Sequence, residues 1–475
     1  MGPLSQPDLE RIDREAVGLL ERVGIWLDHD EVRARLVAAG ATEAPQAKVL
    51  RLPEAMVREA MAAAPKVVRL SSISGEDVDL TATGPTVFWT GNALHLTTLT
   101  AGGARSAPTE RKPITTETLA EFVRLAEGLE HVHAPVATSM ADIPPKCRDF
   151  VGFRVLAQNS RKHLRPCVYT PSGPLTIHEM AQVIAPRPFA DHPIFSLGYT
   201  AVSPLRWSSS ALDLFLLTSG KRIPIMINVE PLAGATAPVT LAGSIAQGNA
   251  EALAGFTVMQ TLEPGRPCVY NMGFAHPFDM RSLISLTGAV ECGLHQAAGA
   301  QLAQFYNLPC ASWMSTESCV PDAQAGLEKT LTGLQHALAG VNIIWGIGQL
   351  DSQQALSMEM AVIDNDIAGQ LLRAQQGIPV SDHTLAIPHI EQVGPGGNFM
   401  VADHTLDNYR DQLHYPDLIH RGERQPWEEK GGKWIHERAK DRVADILARP
   451  REPLLTEAQE REMLAIEAKR TQELR

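Results

Sequence analysis

Between Thr86 and Gly377, short apolar and β-branched runs alternate with long alanine- and leucine-rich stretches, about eight times over. Runs of four to seven residues bounded by turn residues read as buried strands. The longer stretches, apolar at three- and four-residue spacing, read as helices. The pattern predicts strands at 86–90, 133–139, 165–170, 193–199, 223–229, 267–272, 308–314 and 341–346. The helices predicted between them are 115–128, 148–159, 175–185, 208–221, 239–262, 281–306, 322–339 and 357–376. Eight successive strand–helix units predict an α/β fold, a (β/α)8 TIM-type barrel. Function in such a barrel sits at the carboxyl ends of the strands.

The flanks read differently. Residues 8–66 have helical spacing, with Leu9, Ile12, Ala16, Leu19 and Leu20 on one stripe and Pro53 opening a further helix. The segments VVRLSS and DVDLTAT alternate as short strands. Residues 94–109, with a TAGGA turn, predict a hairpin inserted before the first barrel helix. Beyond 380 the periodic pattern stops, GPGGNF (394–399) reads as a glycine-rich loop, and after Pro416 the chain is charged and helical. The expected organisation is a helical and β extension over 1–85, a barrel over 86–380 and a carboxy-terminal loop and helical arm over 381–475. The charged helices read either as a solvated pair or as an arm packing on a partner subunit.

Composition narrows the function. A net charge of −12 and no basic stripe exclude a nucleic-acid partner. No run of about 18 apolar residues predicts a membrane span. The acidic, amphipathic start lacks the basic and apolar regions of a secretory leader. Six cysteines without CxxC spacing read as free thiols of a reducing compartment, so the expectation is a cytoplasmic protein.

Reading the predicted strand ends gives Trp89, Tyr169, Tyr199, Asn228, Glu230, Tyr270, Glu317 and Trp345. Aromatic rings with a few acids and no obvious nucleophile suggest a cage for an organic cation. Such a cage attracts a quaternary ammonium through the negative faces of the rings, about 0.5–2 kcal/mol per favourable contact. Trp313 joins the wall if strand alternation turns it inward. Other chemistries have weaker signals. His131 and His133 form an HxH pair, but at the amino end of a strand. Cys268, Cys310 and Cys319 with Glu230 or Glu317 could form a zinc site, without ligand spacing to support it. Gly346-Ile-Gly348 and Gly394-Pro-Gly396-Gly397 lack the context of a phosphate loop, and no GxSxG elbow occurs.

Four segments carry a resemblance: VTLAGSIAQGNAEALAGFTVMQTLEPGRPCVY (239–270), PDAQAGLEKTL (321–331), NIIWGIGQLDS (342–352) with ALSMEMAVIDNDI (355–367), and GPGGNFMVADHT (394–405). In order and spacing they resemble the trimethylamine methyltransferase (MttB-like) family, over nearly the whole chain. The resemblance implies a (β/α)8 barrel that moves a methyl group from a methylated amine to the cobalt of a separate corrinoid protein. Archaeal trimethylamine enzymes of the family use pyrrolysine. This chain has only the twenty standard residues, so it is similar to the branch acting on quaternary amines such as glycine betaine. The implied cofactor is a corrinoid (cobalamin) carried by the partner, with no metal bound directly by this chain.

On that resemblance Trp345 and Gly346 are the first pocket candidates, with Gln349 and Asp351 shaping the pocket or its mouth. Trp89, Tyr199, Tyr270 and Trp313 are expected as cage or wall, and Glu230 and Glu317 as electrostatic partners of the cation. Asn92, His95 and Asn271, with Arg281 behind them, are the donors available to a substrate carboxylate. A homo-oligomer is expected from the general prevalence of symmetric assemblies. The rival readings are a zinc-dependent barrel methyltransferase or hydrolase, and a non-catalytic amine-binding relative.

Overall fold

The computed structural model describes residues 2–99, 109–450 and 452–474. The amino-terminal segment, expected to be helical throughout, forms α1 (Gln6–Arg22), α2 (Asp30–Ala38) and α3 (Glu54–Ala63) separated by the short strands Ile25–Leu27, Thr42–Glu43 and Val49–Arg51. Ser5 and Asp8 make a capping box at the start of α1, and Leu9, Ile12, Ala16, Val17 and Leu20 form its buried stripe.

The centre is a curled, parallel, seven-stranded sheet. Its strands are β1 (Val87–Thr90), β2 (Val132–Ala134), β3 (Leu197–Thr200), β4 (Ile225–Asn228), β5 (Cys268–Asn271), β6 (Cys310–Trp313) and β7 (Ile343–Ile347). Their order in the sheet is β3-β4-β5-β6-β7-β1-β2. The strand expected at 165–170 does not form. The two sheet edges meet there only through single bridges, Val136 to Arg165 and Leu164 to Phe195. Arg165 N donates to Pro135 O (3.1 Å) and Ala137 N to Arg165 O (2.9 Å). Pro166 then has no N–H to offer, so the ladder stops after one residue. The expected eight-stranded barrel is thus corrected to a TIM-barrel-like sheet of seven strands.

Outside the sheet lie α4 (Thr116–Glu127), α5 (Arg148–Asn159), α6 (Gly173–Ile184), α7 (Ser209–Leu217), α8 (Leu241–Leu262), α9 (Val290–Phe305), α10 (Ala323–Ala339) and α11 (Met358–Gln375). The helix expected from 281 begins only at Val290. Before it, His276–Asp279 pairs antiparallel with Ile284–Ser285. Asp279 builds that turn, its carboxylate accepting from Arg281 N (2.9 Å) and its carbonyl from Leu283 N (2.7 Å).

The antiparallel pair Val68–Ser71 and Asp77–Leu80 closes the amino-terminal end of the sheet. Ser71 N bonds to Pro193 O, just before β3, and Asn342 Nδ2 to Thr81 O, just before β7. At the opposite end, His95–Leu99 pairs with Thr109–Pro113, and the hairpin tip at 100–108 lies outside the described residues. The charged carboxy-terminal helices return onto their own subunit instead of extending as an arm. Ile435–Leu447 meets α4 through Arg124 Nη2 on Leu447 O (2.9 Å), and Glu457–Glu473 meets α5 through Arg154 and Glu467 (2.6 Å). Among the described residues no helix is long and apolar enough to cross a membrane.

Candidate functional site

Strand alternation sorts the predicted residues onto two faces. Trp89, Met226, Val269, Ala311, Trp313, Ile343 and Trp345 form one buried cluster inside the curled sheet, resting on Val68, Leu70 and Leu80 of the closing pair. Phe88, Ile225, Ile227, Cys268, Tyr270, Cys310 and Ile344 belong to the other core, between sheet and helices.

The inner face brings three of the expected rings together. Trp345 lies 5.0 Å from Trp89 by ring centroids, and Trp313 is its register partner on β6. Phe274, in the loop after β5, sits against Trp313 (5.8 Å) and edge-on to Trp345 (6.0 Å). Phe274 was not foreseen, because it lies beyond the strand end in a loop. Tyr270 is a correction. It is fully buried on the helix side, its hydroxyl donating to Asn249 Oδ1 of α8 (2.9 Å) and its ring beside Phe256 and Tyr306. Tyr199 also faces outward, level with Ile227 of β4 and packed on the outer core. Tyr169 is exposed on the rim.

Polar groups line the carboxyl end of the same interior. Asn271 Nδ2 donates to Asn228 Oδ1 (2.8 Å), and Asn228 Nδ2 reaches Thr200 Oγ1 (3.4 Å). Gly273 N donates to Asn271 Oδ1 (2.7 Å). Gln349 links the Trp313 indole N–H to the backbone carbonyl of Asn92 (2.6 Å). The Asn92 side chain faces the Cys167 thiol at 3.9 Å. His95 and Asp351 lie on the rim, joined through Arg111, which bonds to Asp351 (2.9 Å) and to His95 Nδ1 (3.0 Å).

The two candidate acids have different fates. Glu317 accepts from Thr287 N, Thr287 Oγ1 (2.8 Å) and Gly288 N (2.7 Å), holding the chain that enters α9. It is engaged as an anchor and has little left for a cation. Glu230, two residues past β4, is half-buried and makes no hydrogen bond or ion pair among the described residues. Burial raises its carboxyl to about 7.

Three charged residues that carry the site escaped sequence reading. Lys329 of α10 and Asp364 of α11 are a fully buried ion pair. Lys329 Nζ also donates to Gly346 O (2.9 Å), and Asp364 Oδ2 accepts from Gly348 N (2.7 Å). The pair fixes the end of β7 on both sides of Ile347. Gly346 itself has φ 111°, and a Cβ there would lie 2.0 Å from Met314 O. Its role is a backbone one, letting β6 and β7 close on each other beside Trp345. Arg165 is the third residue. Its guanidinium carbon stands 5.2 Å from the centre of the Trp345 ring, inside the sheet. Charged residues at apolar positions of predicted core elements were the available signal for all three.

The donors weighed for zinc do not converge. Cys268 and Cys310 are buried on the helix side, whereas Cys319 is exposed at the rim. His133 Nδ1 accepts from Phe88 N (3.1 Å), pinning β2 to β1. Among the described residues no three His, Cys, Asp or Glu side chains are grouped to hold a metal ion. Arg281 is tied to Asp279 (3.1 Å) at the surface.

A TIM-barrel-like α/β protein with a tryptophan-lined interior, and with Glu230 past β4 unpaired among the described residues, is thus defined. The trimethylamine methyltransferase (MTTB) family model matches residues 1–475, and the chain belongs to that family of methyltransferases. The trimethylamine methyltransferase MttB of Methanosarcina thermophila is 31% identical over 463 residues, covering 93% of this chain and 91% of its own. The glycine betaine methyltransferase of Desulfitobacterium hafniense (strain Y51) is 27% identical over 479 residues, covering 99% and 97%. Among solved structures, the monomethylamine methyltransferase MtmB of Methanosarcina barkeri superposes with a TM-score of 0.54 at 11% identity, over 94% of this chain and 88% of that one. That last likeness concerns the fold.

Proposed function

We propose that this chain transfers a methyl group from a small, betaine-like quaternary amine to the Co(I) of a separate corrinoid protein. The observation that carries the reading is the convergence of Trp89, Trp313, Trp345 and Phe274, with Glu230 half-buried two residues past β4 and unpaired among the described residues. Each favourable ring face offers about 0.5–2 kcal/mol to a quaternary ammonium. A tertiary ammonium carries an N–H that needs an acceptor, whereas a quaternary one needs only ring faces and a counter-charge. A relative named for glycine betaine supports the same choice.

The corrinoid, when docked, supplies a strongly nucleophilic metal centre as methyl acceptor. The N–CH3 bond breaks with its electron pair remaining on nitrogen, so a neutral tertiary amine leaves and no proton is required. What the residues of this chain do is hold the ammonium in line and dry. Phe274 covers the tryptophans, and Gln349 fixes the Trp313 indole. The rim suits a partner: Leu94, Val202, Val239, Met280 and Leu283, all on loops leaving the carboxyl ends of strands, are exposed apolar side chains. The homo-oligomer has its support in Ile378, Val380, Met400 and Val401, each at least 75% exposed. Sedimentation equilibrium should report a mass above the single chain's 51.6 kDa.

The test is methyl transfer to chemically reduced cob(I)alamin, followed by absorbance, with glycine betaine, carnitine, choline, tetramethylammonium and trimethylamine as donors. Transfer from a quaternary amine is expected. Transfer from trimethylamine alone, or binding of none of them, would reject the reading. Glu230 adds a pH signature. Below about 7 its carboxyl is protonated in the free protein, and a bound cation must displace that proton. Tetramethylammonium affinity should therefore rise with pH, by up to about tenfold per unit for one linked proton, and level off above neutrality. Calorimetry on Glu230→Gln should give a flat profile. A profile unchanged by the substitution would remove Glu230 from the site.

A further inference from the structure

Arg165 is a buried cation without an anion. The residue is 6% exposed, and its guanidinium forms no salt bridge among the described residues. Nη1 donates to two carbonyls, Pro166 O (2.6 Å) and Ser196 O (3.4 Å), and Nε is buried with no partner. The Trp345 ring beside it, 5.2 Å away, also has a buried indole N–H with no partner. Two unsatisfied donors thus sit on one pair of touching side chains. A desolvated guanidinium that faces carbonyls, an aromatic ring and the neighbouring Cys167 thiol but no carboxylate is costly, and a carboxylate is the ligand that best relieves it, since its two oxygens match the planar donors.

The sheet makes room for the guanidinium itself. A Cβ at Gly198 on β3 would lie 2.8 Å from Arg165 Nη2 and 3.0 Å from Met226 Cβ, so the bare glycine leaves the guanidinium its place. Gly198 and Met226 are register partners, one inward step nearer the amino ends of the strands than Thr200 and Asn228. Glu230 follows two residues beyond Asn228, toward the mouth. The interior therefore carries a positive group deep, against Trp345, and a negative group beyond Asn228.

We propose that Arg165 is the anchor for the carboxylate of a zwitterionic quaternary amine, which enters carboxylate first and presents its ammonium methyls to the mouth. This rests on the methyl-transfer reading above and sharpens it. The substrate class becomes ammonium carboxylates, and choline or tetramethylammonium becomes a weak ligand. The polarity also explains how a symmetric trimethylammonium head is oriented. The carboxylate at Arg165 is the only end that the deep cation accepts, so a methyl group always faces outward.

The experiment is calorimetric binding to the full chain with three ligands that share the ammonium: glycine betaine, its methyl ester and tetramethylammonium. In the wild type, glycine betaine should bind at least about tenfold more tightly than its ester, as expected for one charge-assisted hydrogen-bonded contact. In Arg165→Met that preference should vanish, while tetramethylammonium binds within about threefold of wild type, a smaller change than a lost contact gives. Arg165→Lys should restore part of it. Wild-type binding of tetramethylammonium without any preference for betaine over ester would overturn the anchor and leave the methyl-transfer reading standing. Equal loss of all three ligands in Arg165→Met would also overturn it, since that marks a purely structural arginine. Binding of none of the three to the wild type would overturn the methyl-transfer reading and the anchor together. If Arg165→Met does not fold, the betaine-against-ester comparison in the wild type decides alone.

Discussion

Replacing Lys329 with methionine is expected to cost the fold about 3–5 kcal/mol, the range for breaking a buried ion pair by removing one partner. Both side chains are fully buried, and Asp364 Oδ1 has no hydrogen-bond partner even in the intact pair. Burial pushes Asp364 up and Lys329 down, and each is opposed by the other's charge. Without the ammonium, the carboxylate has only Gly348 N to hold it. Asp364→Leu strands the ammonium in the same way, with Gly346 O as its remaining acceptor. The double variant Lys329→Met with Asp364→Leu should recover part of the loss, because no charge is then left buried. Urea unfolding of the four proteins checks this. Strictly additive losses, or single variants within about 1 kcal/mol of wild type, would mean that the pair does not act as a unit.

That pair also shows what two of the four recognised segments have in common. PDAQAGLEKTL supplies Lys329, NIIWGIGQLDS supplies Gly346 and Gly348, and ALSMEMAVIDNDI supplies Asp364. In the sequence they are three strings. In the structure these three strings, drawn from two of the four segments, are one bracket around the end of β7. Asp366, from the last of these strings, accepts from Asp417 N (3.1 Å) and Leu418 N (2.8 Å) and so ties the carboxy-terminal region to α11. Spacing along the chain could not reveal this, because each contact joins residues 16 to 52 positions apart.

Element type was legible where a long period repeats. The helices at 148–159 and 322–339 are observed as Arg148–Asn159 and Ala323–Ala339. Facing was less legible. Tyr270 and Asn271 are neighbours, and one step along a strand exchanges the two faces of the sheet. A one-residue change of phase is enough to exchange the Tyr270 ring, which faces the helices, with the interior position that Asn271 occupies. Trp313 and Trp345 came out on the inner face because both are two residues from small or β-branched inward positions, Ala311 and Ile343. The missing strand at 165–170 has a local cause, Pro166, whereas Arg165 gains its importance only from what surrounds it.

Gly346→Ala is the substitution expected to damage site and fold together. A φ of 111° is one that only glycine adopts cheaply, and a left-handed conformation alone costs another residue about 1–2 kcal/mol. The new methyl would also meet Met314 O at 2.0 Å and the Trp313 ring at 3.1 Å. Met314 O is backbone, so the collision is relieved only by moving β6 away from β7. The total loss should therefore exceed the conformational part and reach about 3 kcal/mol or more, in the range of overpacked cores. Because Trp313 and Trp345 are register partners on those two strands, tetramethylammonium affinity and methyl transfer should fall with it. Gly377→Ala is the control. Gly377 has φ 63° with nothing within 4 Å of its Cβ position, so it should show the conformational cost alone, with the ligand affinity unchanged. Equal destabilisation in the two variants, or wild-type affinity in Gly346→Ala, would show that the approach of β6 to β7 does not set the tryptophan site.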